Sequence, residues 1–362
     1  MAVDVMRNVT IRGIACAVPD NVVFTEDYKE TFGLDAVNKF ADTVGIKQRH
    51  MSKIDNGLTT SDLCFAAAEK LIAEKHIDKN TIDAVILVTQ HPDYISCPAT
   101  ACVLQYRLGL SENCLAYDVN QGCTGYIYGL YIAALHLQSG RLKRVLLLAG
   151  DAGHRVSPED KSMAMLFGDA GSATLLEYDK SAQDMNFVFK TQGKGFRSII
   201  CPCGGSRNRT GNAERTEQEA GIIRSDYDGY MDGVAVFNFT IKEVPKLFRT
   251  FYEHFNYTND SFDFFLLHQA NKYMLQYICK KLKLPVEKVP LSIDRYGNTS
   301  SASIPITLCD YFAGNKDTDG KKNILGCGFG VGLSLGIANF NIDSTVCLPV
   351  IVTDERFEDG ML

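Results

Sequence analysis

Four short apolar runs in the first half of this chain alternate with segments of helical period. "TIDAVILVTQ" (81–90), "CLAYDV" (114–119), "RVLLLAGD" (144–151) and "GSATLLEYD" (171–179) are bounded by turn residues. They have the length and composition of buried strands. Between them, "TTSDLCFAAAEKLIAEK" (59–75) repeats apolar residues every 3.6 positions, with Thr60 or Ser61 as its cap. "CPATACVLQYRLGL" (97–110) puts Pro98 where a first helical turn tolerates it and Gly109 where a helix stops. Strands alternating with helices imply α/β layers.

The second half repeats the plan. "SFDFFLLHQA" (261–270) matches "TIDAVILVTQ" in pattern, and each precedes an amphipathic helix ending in "LKL" or "LGL". The pair "NILGCGFG" and "VGLSLGIANF" (323–340) mirrors the pair at 144–179. The expected organisation is two duplicated mixed α/β halves, 1–180 and 181–341, with a peripheral tail over 342–362. A polar, Gly-rich stretch at 201–226 reads as a surface excursion.

Composition narrows the function. With 362 residues and 46% hydrophobic content, the chain can bury a large core. A net charge of -6 gives none of the basic excess that a nucleic-acid partner requires. No apolar leader opens the sequence, and the longest apolar run (125–137) falls short of the roughly 20 residues that span a bilayer. A soluble, cytoplasmic protein is expected, with its twelve cysteines reduced. Cys201 and Cys203 lack a second pair to complete a zinc set, so no metal is expected. Cys102, Cys279 and Cys309 fall in apolar helical patterns and read as core filler.

Three positions are placed for chemistry. Cys123, in "DVNQGCTGYIYGLYIAALHL", stands where a strand turns into a helix apolar on nearly every face. A thiol at a buried helix N-terminus has its pKa lowered from about 8.5, and the same amides can hold an oxyanion. A small buried hydrophobe fits the position too. His268 ends the strand "FDFFLL", where a core or capping histidine is equally at home. Asn298, in "DRYGNTSSASIPITL", sits in a turn that Gly297 permits; an Asx-turn residue is the plainer alternative. "GCGFGVGLSLG" (326–336) alternates glycines, as close backbone approach demands.

In order and spacing, "VGIKQRH" (44–50), the Cys123 segment, "LFGDAGSA" (166–173), "MDGVAVF" (231–237), "HQAN" (268–271), "GNTSSAS" (297–303) and the turn at 326–336 resemble the β-ketoacyl-acyl carrier protein synthase III family of the thiolase superfamily. The resemblance spans residues 8–340. It implies a five-layered α/β/α/β/α thiolase-like fold, a homodimer, no cofactor, and catalytic residues Cys123, His268 and Asn298. Backbone amides of Cys123 and Val331 would form the oxyanion hole, with valine where many relatives have glycine. Tyr94, Cys97 and Phe329 would line the acyl pocket. The implied reaction transfers an acyl group from a thioester to Cys123, then condenses it with a malonyl thioester as carbon dioxide leaves.

The chain departs from the family pattern at the nucleotide end. Relatives that take acyl-CoA clamp its adenine with tryptophan and arginine. This chain has no tryptophan; Lys39 and Thr43 take those places, and Lys161 takes a partner arginine's. An acyl carrier protein is therefore an expected donor beside acyl-CoA. That carrier is acidic, so Lys242, Lys246 and Arg249, at i, i+4 and i+7, are docking candidates with Lys272, Lys280 and Lys283; a solvated helix face fits the same pattern. Tyr273 stands where relatives often place a docking arginine. The rival reading keeps Cys123 and transfers the acyl group to a hydroxyl or amine without condensation.

Overall fold

A computed structural model describes residues 1–53, 57–218, 221–313, 315 and 320–360. Residues 219–220 of the predicted excursion and 361–362 of the predicted tail lie outside the described residues.

Two sheets stack with helices between and outside them. The first runs in the order β11 (Ile351–Thr353), β2 (Val9–Pro19), β6 (Ala170–Tyr178), β5 (Arg144–Asp151), β3 (Ala84–Val88), β4 (Leu115–Val119). The second runs β1 (Ala2–Met6), β7 (Met185–Thr191), β10 (Ser334–Asp343), β9 (Lys321–Gly330), β8 (Phe264–Leu267). The duplication shows in the pairing. β2–β6–β5–β3 is antiparallel, antiparallel, parallel, and β7–β10–β9–β8 repeats it.

The central layer holds α4 (Gly125–Leu137) and α7 (Ser303–Phe312), which touch both sheets. That position explains why α4 is apolar nearly all round: most of it is buried between the sheets, and Leu135 near its end is exposed. Outside the first sheet lie α2 (Thr60–Glu74) and α3 (Thr100–Arg107); outside the second lie α5 (Gly233–Phe255) and α6 (Lys272–Leu282). The result is α/β/α/β/α. Three large apolar clusters fill the spaces between layers.

Some local expectations shift. The cap of α2 is Thr59, one residue before the expected pair. Thr59 and Asp62 cap each other reciprocally, while the Thr60 hydroxyl donates to the His91 carbonyl. Pro98 precedes α3 rather than opening it; the first α3 amides, of Thr100 and Ala101, donate to the Asp118 carboxylate at 2.7 and 2.8 Å. Cys102 is exposed, not core, whereas Cys279 and Cys309 are buried; all twelve cysteines are free.

The tail is not peripheral. β11 pairs in parallel with β2, Phe357 N–H donates to Asp62, and the Arg107 guanidinium lies 4.5 Å from the Phe357 ring centre. The chain start meanwhile joins the second sheet through β1. Each end of the chain thus completes the sheet of the other half. Among the described residues, no helix is long and apolar enough to cross a membrane.

Candidate active site

Cys123 stands in the turn between β4 and α4, half-buried. The turn fits because glycines let three segments meet there. A Cβ on Gly122 would fall 2.1 Å from the Gln90 side-chain oxygen; on Gly328, 2.8 Å from Thr124 Cα; on Gly330, 2.8 Å from Cys123 Sγ. The alternate glycines of β9 therefore let its last turn lie directly against the thiol. Val331 follows, and its backbone N–H reaches the Cys123 sulfur.

Burial pushes the Cys123 thiol up to about 11, and the charge of Asp151 adds to this. The amides of Val331 and Cys123 and the Ser300 hydroxyl pull the other way without prevailing. This corrects the expectation of a lowered pKa. Cys123 lies two residues before α4, and the Gly125 N–H is already spent on the Gly122 carbonyl at 2.6 Å, so desolvation outweighs the helix end.

His268 follows β8, and its N–H donates to the Cys327 carbonyl at 2.9 Å across the β8–β9 pair. Its ring is buried, edge-on to Phe329, with Nδ1 2.6 Å from Ser303 Oγ. Burial pushes its pKa down to about 3, opposed by a hydrogen bond to the Ser300 backbone, so the imidazole is neutral near pH 7. Asn298 is pinned to the 166–168 segment: its N–H donates to Leu166 O at 3.0 Å, and its carbonyl accepts from Gly168 N–H at 3.1 Å. Its side-chain oxygen accepts the Ser300 N–H at 3.0 Å, which turns the NH2 end into the available donor. Ser300 makes these contacts with a left-handed backbone, φ 50°.

Cys123, His268, Asn298, Phe329 and Val331 all line one cavity of about 300 Å³. Tyr94 and Cys97 do not. Both lie on an exposed loop, where the Tyr94 hydroxyl is taken up by Asp359 of the tail. The clamp positions also fall away from it: Lys39 and Thr43 are exposed on α1 (Leu34–Val44), and Lys161 is exposed while Arg155 lines the cavity instead. Lys242, Lys246 and Arg249 share the exposed face of α5, with Lys246 also bonded to Glu243 at 2.9 Å. Lys272 opens α6 half-buried, and Lys280 and Lys283 are exposed near its end.

The same cavity contains groups that sequence reasoning missed. His91 and His154 line it, each bound to a buried carboxylate, Asp151 and Asp169. One signal was available: both histidines lie just beyond the carboxyl ends of the parallel strands β3 and β5, where α/β sheets place their ligands. Among the described residues no group of three His, Cys, Asp or Glu side chains is arranged to hold a metal ion.

Comparison with known proteins agrees with this architecture. Residues 117–193 match the family model for 3-oxoacyl-[acyl-carrier-protein] synthase III, and residues 253–342 match its C-terminal model. A putative 3-oxoacyl-[acyl-carrier-protein] synthase 3 of Campylobacter jejuni is 34% identical, covering 94% of this chain and 96% of that one. A β-ketoacyl-[acyl-carrier-protein] synthase III of Lactococcus lactis is 33% identical over 92% of this chain and 98% of its own. The crystal structure of a Burkholderia xenovorans 3-oxoacyl-(acyl-carrier protein) synthase superposes with a TM-score of 0.90 at 37% identity, covering 97% of this chain and 99% of that one. With these motifs in one cavity of a duplicated five-layered fold, the chain belongs to the β-ketoacyl-acyl carrier protein synthase III family.

Proposed function

We propose that this enzyme performs a two-stage condensation in which Cys123 carries the acyl group and His268 and Asn298 drive decarboxylation. The observation that carries the reading is the donor set. A neutral, buried imidazole and an amide with its NH2 end available share one cavity with the thiol.

In the first stage the Cys123 thiolate attacks an acyl thioester. The Val331 and Cys123 amides, within reach of the sulfur, hold the tetrahedral oxyanion; one such donor is typically worth about 2.7–4 kcal/mol. The carrier thiol leaves and the acyl group stays on Cys123. In the second stage a malonyl thioester loses carbon dioxide, and negative charge builds on its thioester carbonyl oxygen. Asparagine cannot act as a base at neutral pH, so Asn298 serves as an oxyanion donor. For His268 to donate beside it, the Ser303 hydroxyl donates to Nδ1, which leaves the proton on Nε2. The carbanion then attacks the acyl-Cys123 carbonyl, the C–S bond breaks, and a β-ketoacyl thioester departs.

The acyl carrier protein is the proposed carrier, docking on the exposed cations of α5 and α6. Among the described residues no tryptophan platform exists for a nucleotide, since the chain has none. A homodimer is also proposed. β4 is an open edge, with Leu115 exposed and with Ile95 and Tyr106 exposed in the nearby loop and on α3. Unpaired edges of this kind seek a second strand. A cytoplasmic setting suits twelve free thiols.

The test is carbon dioxide release from a malonyl thioester. Asn298→Ala is expected to lower it by about 10²–10³ while acylation of Cys123 persists. Normal release by Asn298→Ala would contradict the role given to that amide.

A further inference from the structure

Two facing histidine–carboxylate pairs in the Cys123 cavity have no task in the reaction above. His91 Nδ1 lies 3.0 Å from Asp151 Oδ1, and His154 Nδ1 lies 2.9 Å from Asp169 Oδ1. The two rings approach to 4.6 Å between centres, and His154 stacks on Phe167 at 4.8 Å. Both carboxylates are buried and anchored elsewhere as well. Asp151 accepts from Gln90 N–H, Thr89 Oγ1 and the Ser301 hydroxyl; Asp169 accepts from Ser52 N–H. Each pair is thereby held in place by the backbone and side chains around its carboxylate. Each carboxylate takes up Nδ1 of its ring, which leaves Nε2 as the nitrogen open to another partner.

One of those nitrogens is orphaned. The His154 side chain is only 7% exposed, and its buried Nε2 has no hydrogen-bond partner in the chain. A buried polar atom left unpaired is costly, and native proteins keep few of them. This one belongs to a residue of the cavity wall, beside His91 and Gln90.

The chemistry of the pair selects its occupant. A hydroxyl both donates and accepts, so it can pair with an imidazole Nε2 in either proton state. A plain methylene chain would leave His154 Nε2 unpaired. An O–H or N–H group satisfies it. We propose that His91 and His154, held by Asp151 and Asp169, form a subsite for a hydroxyl or amino group of the substrate. This inference rests on the Cys123 acyl-enzyme of the proposed function and specifies the substrate class.

The group has two possible sources. It is either a substituent on the acyl chain or part of an acceptor that takes the acyl group from Cys123. In the second case the acceptor oxygen or nitrogen bonds to the acyl carbonyl carbon. The C–S bond to Cys123 breaks, and the acceptor proton passes through histidine Nε2 to the sulfur.

The test uses the full chain and intact-protein mass. In one arm, 3-hydroxybutyryl and 3-aminobutyryl thioesters compete with the butyryl thioester for Cys123. In the other, the butyryl-loaded enzyme is mixed with glucosamine, which carries both groups. The expected result is a preference of about tenfold or more for a substituted acyl group, or discharge by glucosamine, since one buried hydrogen bond is worth about that factor. His154→Phe should bring the substituted-to-unsubstituted ratio, or the discharge relative to hydrolysis, close to one. His154→Gln, which keeps an acceptor, should restore part of it. Equal loading with no discharge, or a ratio unmoved by His154→Phe, would overturn the subsite while normal carbon dioxide release left the condensing reading intact. Absence of both loading and carbon dioxide release would overturn the condensing reading and the subsite with it.

Discussion

With burial holding the Cys123 thiol up to about 11, only a small thiolate fraction exists in the free enzyme near neutrality. Alkylation of Cys123 by iodoacetamide should therefore rise roughly tenfold per unit between about pH 7 and 9. A plateau in that range would mean that the thiol is already ionised. His268 has the opposite perturbation. Its pKa is lowered to about 3, so it takes up a proton only in strong acid. Carbon dioxide release should then show no loss between about pH 5 and 8; a fall centred near the ordinary histidine value of about 6.5 would contradict a neutral donor. At this scale the sequence was informative about residues inside recognisable local frames. Cys123 follows a strand and precedes a wholly apolar helix, and Asn298 stands in a Gly-containing turn. His91 and His154 were invisible because their roles come from partners far away in sequence. Asp151 alone ties His91 to Ser301 across 210 positions of chain.

The alternating glycines of β9 belong to the element scale. Their spacing signalled close approach, and the structure identifies what approaches: the Cys123–Thr124 turn and the start of α4. Gly328→Ala puts a methyl 2.8 Å from a backbone carbon of Thr124, which cannot swing aside. The variant should lose about 1–3 kcal/mol of stability in urea unfolding, the usual cost of overpacking. Wild-type stability in that variant would contradict the packing of β9 on the turn. Strand positions were legible because each strand is a short, buried, apolar run. Two readings failed for a shared reason: sequence periodicity says nothing about distant partners. Tyr94 and Cys97 were assigned to the acyl pocket, but their loop is exposed and Tyr94 is bound to the tail. The tail itself looks polar and peripheral, yet Ile351–Thr353 pairs with β2 and Phe357 packs under Arg107.

Across the whole molecule, the duplication brings a segment of each half to one cavity. The turn before α4 holds Cys123 in the first half, and the segments after β8 and before α7 hold His268 and Asn298 in the second. The exchange of terminal strands means that neither half completes its own sheet. The open β4 edge predicts a twofold assembly in solution. Light scattering should report twice the mass of the chain, and Leu115→Glu on that edge should shift it toward the single chain; a monomeric wild type would contradict the assembly. The most direct test of the account is intact-protein mass spectrometry after incubation with acyl carrier protein and acyl-CoA thioesters. A mass gain of one acyl group, absent in Cys123→Ala, is the result predicted. Acylation that persists in Cys123→Ala would place the nucleophile elsewhere and contradict the account at its centre.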